Sequence, residues 1–369
     1  MRGVIRVRRP GRRLDVRLQY AFTAGRPAEP VFHHVWPRLV GRHAVSPAWG
    51  RGPRGAARRP PGSMHRRVRS LIMRIALKVD CDTAEGTRRG IPRLLALFEK
   101  KGIRATFFFS LGPDRSGRAA LRVFTRKGFL RKMLRSRAPS LYPLRTMLSG
   151  TLLPAPIIGK TCRAEIRSVA ASGHETGVHA WDHVGWHDGL PRWTAKRVAS
   201  EYRRLHEEYR AILGSDAHAS ACPGWTVSEA YLAEREKYPL LYTSDTREGG
   251  PFRPRVGGAA SAIPEIPSTL PTLDEKLGDP EFRGPDDLRR WFAGAPRGDA
   301  VHTIHTEVEG GPYREWFERL LDDWKSRGAE FVAMETFGIE ARERLAELPV
   351  RTIAAITLPG RAGTVASGW

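Results

Sequence analysis

An α/β architecture built on a parallel sheet or barrel is the fold class this sequence predicts. Two observations predict it. About seven short apolar runs alternate with amphipathic helical stretches or long connections. The side chains best suited to chemistry, Asp80, Asp82, His179, Asp245 and His305, all fall at the C-terminal ends of those runs, where a βα barrel assembles its active site. The 369 residues suffice for one large domain or two ordinary ones, and 41% apolar content is normal for a globular protein.

The chain opens on a segment of different character. Residues 1–72 hold 17 Arg, no Lys, and only Asp15 and Glu29 as acids, so +15 of the net charge of +23 lies there and +8 in the remainder. The segment is rich in Pro and Gly, shows no sustained periodicity, and lacks the apolar core and cleavage site of a secretory signal. It is expected to be mostly disordered. Three readings stand: translation upstream of a true start near Met64 or Met73 (or a dispensable extension), an anchor on an anionic membrane surface, or a nucleic-acid arm.

From Arg74 the elements follow in order. Arg74–Asp80 reads as a buried strand. Gly90–Lys101 reads as a helix with Ile91, Leu94, Leu95 and Phe98 on one face and Gly102 as its stop. Ala105–Ser110 is a second strand, Arg163–Ser172 a helix, and Glu175–His179 a strand. A helix over Thr194–Leu213 ends at Gly214. His218–Cys222, a helix over Ser228–Lys237, Leu240–Ser244 and Ala262–Ile266 come next. Helix Pro285–Phe292, strand Ala300–His305 and helix Tyr313–Arg327 complete the alternation; residues 73–338 form the barrel and 339–369 a C-terminal tail.

One stretch breaks the pattern. Residues 114–158 carry ten Lys or Arg against the single acid Asp114, interleaved with Leu121, Phe124, Phe129, Met133, Tyr142 and other apolar side chains. This insert is either a solvated basic hairpin or an amphipathic surface for anionic lipid or a phosphate-bearing substrate. No run of 18 apolar residues exists to span a bilayer. Cys81, Cys162 and Cys222 form no C-x-x-C pair, so a reducing, cytoplasmic compartment is expected.

Alternation along the first strand points Asp80 and Asp82 to one side and Cys81 to the other. His179 and His183, four residues apart, can converge on one ion. One carboxylate with two imidazoles is a common protein ligand set for a catalytic zinc or similar metal. The other carboxylate is then free to act as a base, and His305 closes another strand. The pattern reads as a metal-dependent hydrolase.

The order DxD, HxxxH, Pro-Gly-Trp, Ser-Asp and a strand-terminal His resembles the polysaccharide deacetylase family. Longer strings, KVDCDTAEGTRRGIPRLL (78–95), FFSLGPDRSGR (108–118), FLRKMLRS (129–136), HETGVHAWDHVGW (174–186), YTSDTREGGPFRP (242–254), IPSTLPTLDE (266–275) and TIHTEVEG (303–310), resemble its branch of formamido-arabinose deformylases. The resemblance runs from about Arg74 to about Met334 and includes the insert.

It implies a distorted (β/α)₇ barrel and a divalent metal, zinc first, with manganese, cobalt or nickel open. It further implies Asp80 as general base, Asp82, His179 and His183 as ligands, His305 as general acid, and Asp245 as the group orienting His305. The implied substrate is a formamido-arabinose carried on undecaprenyl phosphate, met at the inner-membrane surface in lipid A modification and cationic-peptide resistance. Where many members carry an Arg before the Pro-Trp element, this chain reads Ala221-Cys222-Pro223, leaving Arg247 or Arg253 to support the base. Trp181, Trp186 and Trp225 either line a sugar pocket or pack the barrel, and Glu307 lies near the site. His174, His302 and Cys81 are expected to be structural. An N-deacetylase of another amino sugar or polysaccharide would use the same site. A basic membrane- or nucleic-acid-binding protein is the rival of another class, although the charge lies mainly outside the barrel and no nucleic acid is expected.

Overall fold

The computed structural model describes residues 2–9, 12–19, 73–119, 144–361 and 363–369, in two compact units, Met1–Arg59 and Pro60–Trp369. In the first unit β1 (Arg2–Arg9) pairs antiparallel with β2 (Arg12–Gln19), from Arg2 opposite Gln19 to Arg9 opposite Arg12. The sequence reading assigned no element here and expected disorder. The run LDVRLQ alternates strictly over six residues, long enough to signal a strand, whereas VIRVRR breaks the alternation at Val4-Ile5 and Arg8-Arg9.

The second unit carries the expected parallel sheet. Its strands are β3 (Arg74–Cys81), β4 (Thr106–Ser110), β5 (Glu175–Ala180), β6 (Ala219–Ser220) and β7 (Tyr242–Thr243), followed after a small ribbon, β8 (Arg253–Val256) and β9 (Ala259–Ala260), by β10 (Ala300–His305) and β11 (Glu330–Val332). The order is β10-β3-β4-β5-β6-β7, every pair parallel, with β11 joined to the first residues of β3. Ile75 to Cys81 and all of β4 are buried, as expected for strands covered on both faces. The one cation in that run, Lys78, is as buried as its apolar neighbours.

Seven regular strands were expected, and the stretch Ala262–Ile266 is not one. It belongs to an irregular segment that fills the gap between β7 and β10. Ile266 N donates to Thr243 O (2.8 Å) and Ser268 N to Thr246 O (2.9 Å), while Thr269 N and Leu270 N both reach Val301 O (3.0 and 3.1 Å). Pro264, Pro267 and Pro271 remove the N–H groups a regular ladder needs. The barrel is distorted where the prolines fall.

Helices cover the outside: α1 (Ile91–Lys101), α2 (Arg163–Ala171), α3 (His183–Gly189), α4 (Ala195–Leu213), α5 (Glu229–Arg235), α6 (Pro285–Gly294), α7 (Arg314–Ser326) and α8 (Met334–Glu343). In α7 the buried residues are Phe317, Leu320, Leu321 and Trp324, the i, i+3, i+4, i+7 stripe of a core-facing helix; burying each contributes about 1.5–3 kcal/mol. α1 and α4 end on Gly102 and Gly214 in left-handed conformation (φ 59° and 79°), which glycine adopts without a Cβ clash. Core packing joins these helices to Leu77, Phe107 and Phe109 of the sheet.

The tail is not separate. The expected boundary at 338/339 falls inside α8. Beyond it β12 (Val350–Arg351) extends the ribbon on β8, and β13 (Ile353–Thr357) pairs antiparallel with β14 (Thr364–Gly368). Arg247 N donates to Ala366 O at 2.8 Å, so the last strand is tied to the loop after β7. Of the basic insert, residues 120–143 lie outside the described residues. The helical turn Leu144–Leu148 and the following chain return to β4 through Asp114 N to Pro156 O (2.9 Å).

Candidate active site

Parallel register brings the site together. Asp80 of β3 lies opposite His305 of β10, and Asp82 follows directly after β3. His179 is the penultimate residue of β5, and His183 opens α3. Asp182 makes that sharp strand-to-helix turn possible: its Oδ1 accepts from Gly185 N at 2.9 Å as the helix cap, and its other oxygen pairs with Arg115 at the start of the insert.

His179 Nε2 and His183 Nε2 stand 3.4 Å from Oδ1 and Oδ2 of Asp82. The three ligand atoms lie within 4.8 Å of one another, the one such group among the described residues. His179 Nδ1 is 2.7 Å from Ala221 O, so Nδ1–H donates there and the Nε2 lone pair faces Asp82. Burial, helped by His183 and Lys78, holds His179 well below the usual imidazole range, and so neutral. Burial also raises the Asp82 carboxyl, and Glu307 and Asp80 raise it further. Asp82 Oδ1 is buried without a hydrogen-bond partner. Two imidazoles, a carboxylate and an unpartnered buried oxygen fit a divalent metal with open positions.

Asp80 is buried, and desolvation raises its carboxyl while Lys78 and His305 pull it back. Its Oδ1 has no hydrogen-bond partner. His305 is raised to about 9, because the carboxylates of Asp82, Asp274, Asp80 and Glu309 outweigh the opposing effect of burial. Its backbone N donates to Glu309 Oε2 at 2.8 Å. A carboxyl group and a protonated imidazole thus lie in register on adjacent strands, and the ligand Asp82 follows two residues after Asp80.

Five expected assignments change. Asp245 does not orient His305. It is fully buried, with Oδ1 accepting from Cys222 N (2.7 Å) and Oδ2 from Tyr231 Oη (2.9 Å) and Arg235. Glu265 shares this cluster by accepting from Asp245 N (2.5 Å) and Thr246 N (2.8 Å). Asp245 therefore braces the Pro223-Gly224-Trp225 turn, and Asp274 and Glu309 are the other carboxylates acting on His305.

Arg247 and Arg253 do not support the base. Arg247 pairs with Glu275 (2.8 Å), and Arg253 donates to the carbonyls of Ser261 and Ala260. The cation beside Asp80 is Lys78, which sequence reading passed over within an apolar strand; its signal was the i, i+2 spacing to Asp80.

Trp225 is a packed wall rather than a sugar-facing ring. It is buried, Nε1 donates to Ser268 Oγ (3.2 Å), and Lys78, Arg247 and Arg361 stand 5.2, 4.5 and 4.7 Å from its ring. Its φ of 52° is uncommon for a bulky side chain and marks a conformation held by its surroundings. Trp186 likewise packs, donating to Thr226 O at 3.0 Å. Trp181 is half-buried with Arg204 5.3 Å from its ring, and remains at the rim. Glu307 Oε1 accepts from Thr83 N (2.8 Å) and Thr83 Oγ1 (2.6 Å), so it fixes the loop carrying Asp82 rather than presenting a free carboxylate. His302 lies between Phe292 and Trp324 and is lowered to about 3 by burial; with His174, which accepts from Ala105 N (3.1 Å), it is structural.

The chain is similar to known proteins in sequence and in fold. Residues 74–242 match the family model described as polysaccharide deacetylase. A Shewanella sediminis protein named probable 4-deoxy-4-formamido-L-arabinose-phosphoundecaprenol deformylase ArnD is 38% identical over 268 residues, 71% of this chain and 85% of that protein. A protein of the same name from Wigglesworthia glossinidia brevipalpis is 32% identical over 283 residues, 76% of this chain and 97% of its own. In fold, the crystal structure of a Mycobacterium smegmatis protein described as a polysaccharide deacetylase superposes with a TM-score of 0.52 at 17% identity, covering 77% of this chain and 94% of the other.

Proposed function

The chain belongs to the polysaccharide deacetylase family, and from that membership we propose that it hydrolyses the formamide of 4-deoxy-4-formamido-L-arabinose linked to undecaprenyl phosphate. Formate and the free 4-amino sugar are the products, in lipid A modification and cationic-peptide resistance. The observation that carries this reading is the trio Asp82, His179 and His183 together with an unpartnered Asp80 oxygen and a cationic His305 in register with it.

Asp82, His179 and His183 are the residues that would hold a divalent metal, zinc in first place. When bound, such an ion lowers the pKa of water and polarises the amide carbonyl. Asp80 Oδ1 accepts the proton of the attacking water. His305 delivers a proton to the sugar nitrogen as the C–N bond breaks. Thr83, Glu307 and the Asp182 cap keep the two ligand-bearing turns in place. The direct test is mass spectrometry of a purified formamido-sugar lipid with metal-loaded protein, in parallel with its acetamido analogue. Loss of the formyl mass supports the reading. Loss of acetyl alone replaces it with an N-deacetylase, since one methyl is worth only about 1–3 kcal/mol of discrimination.

The acid role of His305 sets an alkaline limit. The group must be protonated, so turnover falls as pH rises through its pKa. A cation at Asp82 offsets one of the carboxylate charges that hold His305 near 9, so the limb in kcat should lie below that value. His305→Ala should abolish the limb and lower kcat by about 10²–10⁴-fold. A pH–rate profile of the variant that keeps the alkaline limb would remove His305 from this role.

We assign the basic insert to the cytoplasmic face of the inner membrane. No helix among the described residues is long and apolar enough to cross a bilayer, so attachment there would be peripheral. Arg126, Lys127, Arg131 and Lys132 lie outside the described residues, and the proposal rests on their sequence pattern. Each basic side chain near an anionic surface contributes about 1 kcal/mol. Changing all four to Gln should abolish vesicle binding and turnover of the lipid-linked substrate while sparing a short-chain analogue. Unchanged vesicle binding would leave the insert a solvated face.

A further inference from the structure

Lys78 has no exposed surface, and its burial is unusual for its residue type. Lysine is almost never fully buried without a partner, because removing an ammonium from water costs several kcal/mol even after relaxation. Its surroundings say what repays that cost. Nζ lies 3.7 Å from Asp80 Oδ2 and donates to Ser244 O at 3.2 Å. The faces of Trp225 and Phe108 stand 5.2 and 5.7 Å away. Lys78 leaves β3 on the same side as Asp80, two residues on, and reaches the residue after β7, on the far side of the sheet order.

The two oxygens of Asp80 are therefore unequal. Oδ2 faces the ammonium, while Oδ1 has no hydrogen-bond partner. Arg247 and Arg253 are committed to Glu275 and to carbonyls of the ribbon, as described above, and position 221 is alanine. We propose that Lys78 is a positioning residue for the hydrolysis: it holds the Asp80 carboxylate by Oδ2, so that Oδ1 is the atom that accepts the proton. The proposal rests on the deformylase reading and adds to it a residue on the base's own strand. Trp225 is shared by Lys78, Arg247 and Arg361, whose charged groups lie 5.2, 4.5 and 4.7 Å from its ring.

The test uses the full-length, metal-loaded protein. Lys78→Met keeps the length of the side chain and removes the charge. Its kcat should fall on the order of 10²-fold, the cost of a reacting group displaced by about 1 Å. KM and metal content should stay near those of the unaltered protein, because substrate and metal contacts remain. Lys78→Ala leaves a vacant channel beside Asp80. Added n-propylammonium should restore turnover, and n-propanol should not. The proposal is overturned if Lys78→Met keeps kcat within about threefold, if its metal is lost along with the rate, or if the alcohol restores Lys78→Ala as well as the amine does. Should the Met variant fail to fold, the amine–alcohol comparison on the Ala variant decides alone. If unaltered protein does not hydrolyse the formamide, the deformylase reading fails. A crystal structure of Lys78→Met then decides separately: Asp80 swung from its place supports the positioning role, and Asp80 unmoved refutes it.

Discussion

Replacing His179 or His183 by Ala should strip the protein of its metal and, with it, of measurable amide hydrolysis. Each is one of three protein ligands whose donor atoms lie within 4.8 Å of one another. Losing a hydrogen-bond partner of a metal ligand alone costs about 10–100-fold in affinity, so losing a direct ligand should cost more. His179 should be the more severe of the two. Its Nδ1 is engaged by Ala221 O at 2.7 Å and its ring is buried, whereas His183 opens a helix and is a quarter exposed. Elemental analysis of the two purified variants is the check. Full metal occupancy in either would take that histidine out of the ligand set.

Asp80→Asn should separate metal binding from turnover. The amide is nearly isosteric and leaves Asp82, His179 and His183 untouched, so metal content should equal that of the unaltered protein. Asparagine cannot take a proton from water, and general-base catalysis is worth about 10²–10⁴-fold, or about 3–5 kcal/mol of barrier. The loss should appear in kcat, with KM little changed. A variant that turns over at near-normal rate would show that the base is another group. A variant that loses its metal would make Asp80 a ligand.

Both predictions rest on residues that could be read without coordinates. Asp80 and Asp82 are two apart at the end of one strand, and His179 and His183 straddle one turn, so each pair is placed by local geometry alone. His305 ends a strand of the same parallel sheet, and parallel strands put their C-terminal ends on one edge. Five site residues therefore followed from strand ends and short spacings. The helices followed for the same reason: the 3.6-residue stripe of α1 and the glycine stops of α1 and α4 are local signals.

The misread residues are those whose partners are distant in sequence. Asp245 looked like a strand-end acid facing the site, but its side chain is held by Arg235 and Tyr231, and the carboxylates acting on His305 include Asp274 and Glu309. Arg247 was a plausible support for the base until Glu275 appeared beside it. The segment 262–270 has the apolar content of a strand, yet its prolines leave it bridging β7 and β10 without a regular ladder. The tail seemed detached because β12, β13 and β14 are short, and only β8 and the loop after β7 give them a place.

By itself, then, the sequence determined the α/β class and singled out Asp80, Asp82, His179, His183 and His305 as candidates, because strand alternation and turn spacing act over a few residues; their separate roles were what the family resemblance implied. Tertiary structure alone decided what supports them. Lys78 sits in an apolar run, and nothing local says that its ammonium turns toward Asp80 and Ser244, 166 residues away, rather than toward solvent. A buried charge takes its meaning from the groups that replace its water, and here those groups come from β3 itself, from Ser244 after β7, and from the Trp225 turn that Arg361 of the tail packs against.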